Sequence, residues 1–170
     1  MKTATVTLSP VEMTLAANVA VLRQVTNLRD GRRDAHGAGE GGWQCHIEGA
    51  LGELAVAKFL NVFWSGSLGN LGADDVGVLQ VRAAARDDSR LIVHAGDPDD
   101  RAFVLVVGRA PQLTLVGWML GSTAKQTRWI DDPVRRRGCA PRPAFFVPQT
   151  ELHPVSELRT WDNAATRGSP

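Results

Sequence analysis

The chain contains no tyrosine, which excludes a tyrosine nucleophile of the recombinase or topoisomerase kind. Lysine is scarce as well. Of the 19 basic residues only Lys2, Lys58 and Lys125 are lysine, and the rest are arginine. That bias, beside many Ala, Val, Gly and Asp, fits a GC-rich coding sequence and says little about activity. Charge of one sign is also missing. The net charge is +1, so any nucleic-acid binding must come from local patches. The two cysteines, Cys45 and Cys139, form no C-x-x-C pair, which fits a reduced intracellular protein. There is no apolar h-region at the N-terminus and no apolar run of about 18 residues, so neither a signal peptide nor a membrane span is expected. No G-x-S-x-G, P-loop or G-x-G-x-x-G occurs, which removes support for hydrolase-elbow, triphosphatase and dinucleotide readings.

What is present fits one domain over 1–160, with a frayed tail at 161–170. Ser9-Pro10-Val11-Glu12 reads as a helix start with a capping box and Pro at the first helical position. Val11, Leu15, Val19 and Leu22 follow at helical spacing, which predicts a helix over 10–27. Residues 29–42 are rich in Gly and charge and read as a mobile loop. Such a loop either touches a phosphate backbone or is a solvated linker. A second helix is expected over 46–60, apolar on nearly every face and hence buried. Glu53 lies in its middle and needs a cation, a metal or hydrogen-bond donors there. Glu48 is expected in the first turn, where it suits the helix dipole.

From Val78 to Ala84 the pattern alternates, with Gln80 and Arg82 on one face and Leu79, Val81 and Ala83 on the other. Short strands are expected at 91–93 and 144–147. The apolar run 102–107 reads as a central strand buried on both faces, and 113–119 as its neighbour. Asp97 to Asp100 forms a turn, and 121–142 a polar loop or short helix. The element order predicts an α+β domain: a mixed, mostly antiparallel central sheet with helices packed against it.

The segment that carries chemistry is Asp74-Asp75-Val76-Gly77-Val78-Leu79-Gln80-Val81-Arg82. A bend at Gly77 would set Asp75 beside Gln80, gathering a carboxylate, an amide oxygen and a guanidinium around one point. Hard divalent cations prefer such oxygen ligands. The arrangement resembles the PD-(D/E)XK nuclease superfamily, whose signature is an Asp followed by Glu-x-Lys on the adjacent strand. Here Asp75 is followed by Gln80-Val81-Arg82, and Gly52-Glu53 matches the metal-assisting helix Glu of many members. The resemblance spans roughly 43–150, and the layout is similar to small phage and prophage proteins of actinobacteria. It implies a restriction-endonuclease-like fold, Mg²⁺ or Mn²⁺ held by Asp75, Gln80 and Glu53 with the Val81 carbonyl, and hydrolysis of DNA in the bacterial cytoplasm. Arg82 would then hold the scissile phosphate or the attacking water. Two residues depart from the signature. Gln80 is neutral where the family has Glu. Arg82 stands where it has Lys and stays protonated, so it cannot serve as a base. A nuclease-fold module that binds nucleic acid or a protein without cutting is the alternative.

Phosphate contacts are expected from Arg86, which shares the Arg82 face if the strand runs straight, and from Lys125, Arg128, Arg135, Arg136 and Arg137 with Trp129 among them. A solvated loop with Trp129 in the core explains the same residues. A homodimer and a protein partner are possible partners beside DNA, and no membrane is expected. His36, His46, His94 and His153 show no metal-ligand spacing, and Cys45-His46 with Cys139 and His153 is unlike a closed zinc site.

Overall fold

The computed structural model describes residues 2–31, 42–66, 74–132 and 143–158. Its elements run β1 (Ala4–Thr7), α1 (Pro10–Arg29), α2 (Gly42–Leu60), β2 (Leu79–Ala84), β3 (Leu91–Val93), β4 (Ala102–Arg109), β5 (Gln112–Leu120), α3 (Gly121–Ala124), a 3₁₀ turn at Thr127–Trp129, β6 (Ile130–Asp131) and β7 (Ala144–Val147). The fold is α+β. A four-stranded sheet has the order β1-β5-β4-β2. Only β2 and β4 run parallel in it; the other pairs are antiparallel. β1 has no counterpart in the sequence reading, which assigned no element before the first helix.

The capping box forms as expected: the Ser9 N–H donates to Glu12 Oε2 at 2.6 Å and the Glu12 N–H to Ser9 Oγ at 3.3 Å. Lys58, in the last turn of α2, donates to Glu12 Oε2 at 2.8 Å and to the Thr7 carbonyl at 3.0 Å. That clasp sets the end of α2 against the start of α1, so the two helices run antiparallel. α1 packs on α2 through small residues, Ala16 and Ala20, while Val11, Leu15 and Leu22 stay exposed. The spacing that signals the helix therefore lies largely on its outer face. α2 begins four residues earlier than expected, so Glu48 falls beyond the first turn and accepts instead from the Gln44 amide at 2.8 Å.

Both long helices cover one face of the sheet. The other face is covered by a three-stranded antiparallel sheet, β3-β7-β6, rather than by a helix. β4 serves both cores by simple alternation. Ala102, Val104 and Val106 face the helices with Leu79 and Val81 of β2. Phe103, Leu105 and Val107 face Leu91, Val93 and Val147 of the smaller sheet. This is why the run over 102–107 is apolar without a break. At Gly52 a Cβ would sit 2.8 Å from the Ala83 Cβ, so glycine lets α2 settle directly on β2. That contact fixes the height of the next residue, Glu53, over the sheet. Among the described residues no helix is long and apolar enough to cross a membrane.

Candidate functional site

Gly77, at φ +59°, makes the expected bend. The Leu79 N–H donates to the Val76 carbonyl at 2.9 Å, and the Asp75 N–H returns to the Leu79 carbonyl at 2.9 Å. The hairpin aims the Asp75 carboxylate along the open side of β2, where Oδ2 accepts the Val81 N–H at 2.7 Å. Asp75 thus engages the backbone of β2. Gln80 bonds elsewhere, its amide donating to Asp74 Oδ1 at 3.1 Å, and Arg101 meets the same oxygen at 2.9 Å.

Glu53 is buried in α2 at 5% exposure, and its need for positive charge is met within the chain. Arg23 of α1 grips it in bidentate fashion, Nη1 to Oε1 at 2.6 Å and Nη2 to Oε2 at 2.7 Å. The Trp64 indole N–H adds a third bond to Oε2 at 3.1 Å. Asp75 lies close enough to feel this pair. Burial first, and the Glu53 charge second, push the Asp75 carboxyl up to about 6, against the Val81 N–H and the charges of Arg82 and Arg23. Asp75 therefore feels one other carboxylate, Glu53, and two guanidiniums, Arg82 and Arg23.

Arg82 faces the smaller sheet. Its Nη2 pairs with Asp97 Oδ2 at 2.8 Å, Nε donates to the Ile92 carbonyl at 3.3 Å, and Nη1 to the Val81 carbonyl at 3.4 Å. The guanidinium lies over the Phe103 ring, 4.9 Å from its centroid. Asp97 also accepts the His94 N–H at 2.8 Å, so the 94–100 turn holds Arg82 in place.

The basic residues expected to touch phosphate are dispersed. β2 ends at Ala84, so Arg86 leaves the Arg82 face and pairs with Asp88 at 2.6 Å in the exposed turn. Lys125 spends its three donors on the Ala95 and Asp97 carbonyls and Asp99 Oδ1, at 3.1, 2.5 and 2.6 Å. Arg128 stacks over Trp129 at 4.4 Å and meets Glu151 at 3.2 Å. Trp129 itself is core. Arg135, Arg136 and Arg137 lie outside the described residues, as do Cys139, His36 and most of the loop over 29–42.

Among the described residues no group of three or more His, Cys, Asp and Glu side chains could hold a metal ion. A cation at this site would rest on the Asp75 and Glu53 carboxylates with neutral oxygens, the Val81 carbonyl, which also accepts from Arg82, and the Gln80 amide. The charge of that set suits a hard divalent ion, with Arg23 as its competitor for Glu53. A cleft of about 520 Å³ lies elsewhere, between α2 and the far ends of β2 and β4. Its lining includes Gln44, Glu48, Ala84 and Arg109, and none of the site residues. Sequence reasoning missed Arg23, Trp64, Asp74, Asp97 and Arg101. The available signal was Arg23 itself, a charge on the Ala16–Ala20 face seven and three residues along. No family model, curated protein or solved structure matches the chain.

The raised Asp75 pKa has a consequence for stability. The folded state holds the Asp75 proton more tightly than the unfolded chain, so stability falls as pH rises from about 4 through about 6. Asp75→Asn keeps an oxygen for the Val81 N–H and removes the charge. With chelator present, the variant is expected to exceed the parent by on the order of 2 kcal/mol at pH 7–8 and to match it near pH 4. Urea unfolding across that range checks it. A parent protein as stable as the variant at pH 8 would rule out the buried charge.

Proposed function

We propose that Asp75, Glu53 and the Val81 carbonyl form a divalent-cation site for DNA phosphodiester hydrolysis of the PD-(D/E)XK type. The observation that carries this reading is the Asp75 carboxylate on the Val81 N–H at the open side of β2, within electrostatic reach of the buried Glu53. Mg²⁺ or Mn²⁺ bound there would supply a Lewis acid for the phosphate and acidify a water. Asp75 would carry most of the affinity, because Glu53 is shared with Arg23. Gln80 would contribute its amide oxygen while its nitrogen stays on Asp74. Arg82, permanently charged and fixed by Asp97 and Phe103, would orient a phosphate oxygen and take no proton. Arg86 and Arg128, with Arg135 to Arg137, would steer the DNA backbone; Lys125 would act chiefly by holding the 94–100 turn.

Purified protein is incubated with single-stranded, double-stranded and branched DNA in Mg²⁺ or Mn²⁺. Cleavage is expected, with Asp75→Ala slower by roughly 100-fold or more. If no substrate is cut, or if Asp75→Ala cuts equally well, the proposal is wrong. The second reading, a nuclease-like module that binds without cutting, is favoured by the bidentate Arg23–Glu53 pair. It would show DNA binding with neither cleavage nor calorimetric uptake of Mn²⁺ that depends on Asp75.

A further inference from the structure

α1 buries one face on α2 and leaves the opposite face bare. Val11, Leu15, Val21, Leu22, Val25 and Leu28 are all large and apolar, and each is between 39% and 79% exposed. The exposed positions among them, Thr14 and Asn18, are uncharged, so the face carries no charge from Val11 to Leu28. Positions 11, 15, 18, 22, 25 and 29 alternate in steps of four and three, the spacing of a seam between two helices. The stripe runs most of a 20-residue helix, about 30 Å long. Its six apolar side chains present on the order of 500 Å² of surface, in the upper part of the roughly 300–600 Å² range of the largest, often functional, patch on a monomer. With the polar residues beside them they approach the ~800 Å² per partner of a standard interface.

We propose that this face is the interface of a homodimer in which α1 packs antiparallel on the α1 of a second copy. The chain's segments outside the described residues offer few large apolar side chains to cover it: none in 32–41, Leu68 and Leu71 in 67–73, Val134 in 133–142 and Trp161 in 159–170. A two-fold antiparallel arrangement is self-complementary. It sets Val11 against the partner's Leu28 and Leu15 against the partner's Val25, with Asn18 and Leu22 near the axis. Direction follows from the ends of the stripe. Arg29 continues the seam, and a parallel pair would place the two Arg29 side chains together. The antiparallel pair keeps the two Arg29 side chains at opposite ends, and the positive end of each helix meets the partner's negative one. The dimer rests on none of the residues assigned to DNA hydrolysis.

Sedimentation equilibrium on the full chain is expected to give twice the chain mass of 18.3 kDa at micromolar concentration. Leu22→Glu is expected to weaken association by roughly 30-fold or more, as for a central apolar contact, with the far-UV spectrum retained. A wild-type monomer overturns the proposal. If Leu22→Glu in that monomer melts lower, a segment of the same chain covers the stripe; if it does not, another partner does. A dimer that Leu22→Glu leaves intact also overturns it. Direction is read in a Cys45→Ser, Cys139→Ser background. There the Val11→Cys, Leu28→Cys pair is expected to cross-link two chains on oxidation and Val11→Cys alone is not. Cross-linking by Val11→Cys alone would show a parallel dimer and overturn the antiparallel arrangement.

Discussion

Replacing Arg23 by alanine is expected to lower unfolding stability by about 3–5 kcal/mol, because it strands the Glu53 carboxylate in the helix interface. Both partners are largely withdrawn from water, with side-chain exposures of 12% and 7%. The attraction between them offsets the cost of drying two charges only while both remain. The double variant Arg23→Met, Glu53→Gln removes both charges and leaves an amide oxygen to accept the Trp64 N–H. It should recover more than half of the loss. Urea unfolding of the parent, Arg23→Ala and the double variant makes the comparison. A loss below about 0.5 kcal/mol for Arg23→Ala would mean the pair behaves as an exposed ion pair. The same protein separates the two readings of Glu53. If Glu53 is also a cation ligand, Mn²⁺ should restore stability to Arg23→Ala through preferential binding to the folded state, and chelator should remove the gain. No effect of Mn²⁺ on that variant would confine Glu53 to the ion pair.

Phe103→Ala is the other large effect, again about 3–5 kcal/mol. Phe103 is fully buried between the main sheet and the smaller one, and its ring is the floor on which Arg82 rests. Its edge also fills the space beside Gly121, where an added Cβ would come within 3.1 Å of the ring and collide with the Pro98 carbonyl. Emptying this point removes packing from β3 and β5 and leaves Arg82 held by Asp97 and carbonyls alone. Phe103→Leu, which refills part of the volume, should cost markedly less. Thermal and urea melts of the two variants check the order. Equal losses for Ala and Leu would mean that the ring's volume does not set the stability of this core.

The sequence showed most elements through their periodicity, and the reasons for the exceptions are physical. The buried strand over 102–107 was legible because both of its faces need apolar side chains, and two cores meet there. α1 was legible through a stripe that the monomer does not bury, while its packed face is made of alanines, which carry little periodic signal. β1 is four residues long and polar at every second position, too short to stand out from the linker before Ser9. At the site, Glu53 was recognisable as a carboxylate in need of a partner, and the bend at Gly77 followed from the glycine. The partners were not legible. Arg23 lies thirty residues from Glu53, and Asp97 fifteen from Arg82, so each pairing depends on how helices and strands stack. Gln80 and Arg82 do share a face, as alternation requires. The hairpin before β2 then supplies Asp74 to Gln80, and the 94–100 turn supplies Asp97 to Arg82.

The outer side of β2 bears on how this sheet keeps to itself. An edge strand offers alternate N–H and C=O groups to any extended chain that drifts alongside. Here the groups of Leu79 are taken by the Asp75–Val76 backbone, the Val81 N–H by the Asp75 carboxylate and its carbonyl by Arg82. An incoming strand must expel a carboxylate and a guanidinium to find its first hydrogen bonds. Asp75 therefore acts as a stopper against strand addition and aggregation at this edge, whatever else it binds.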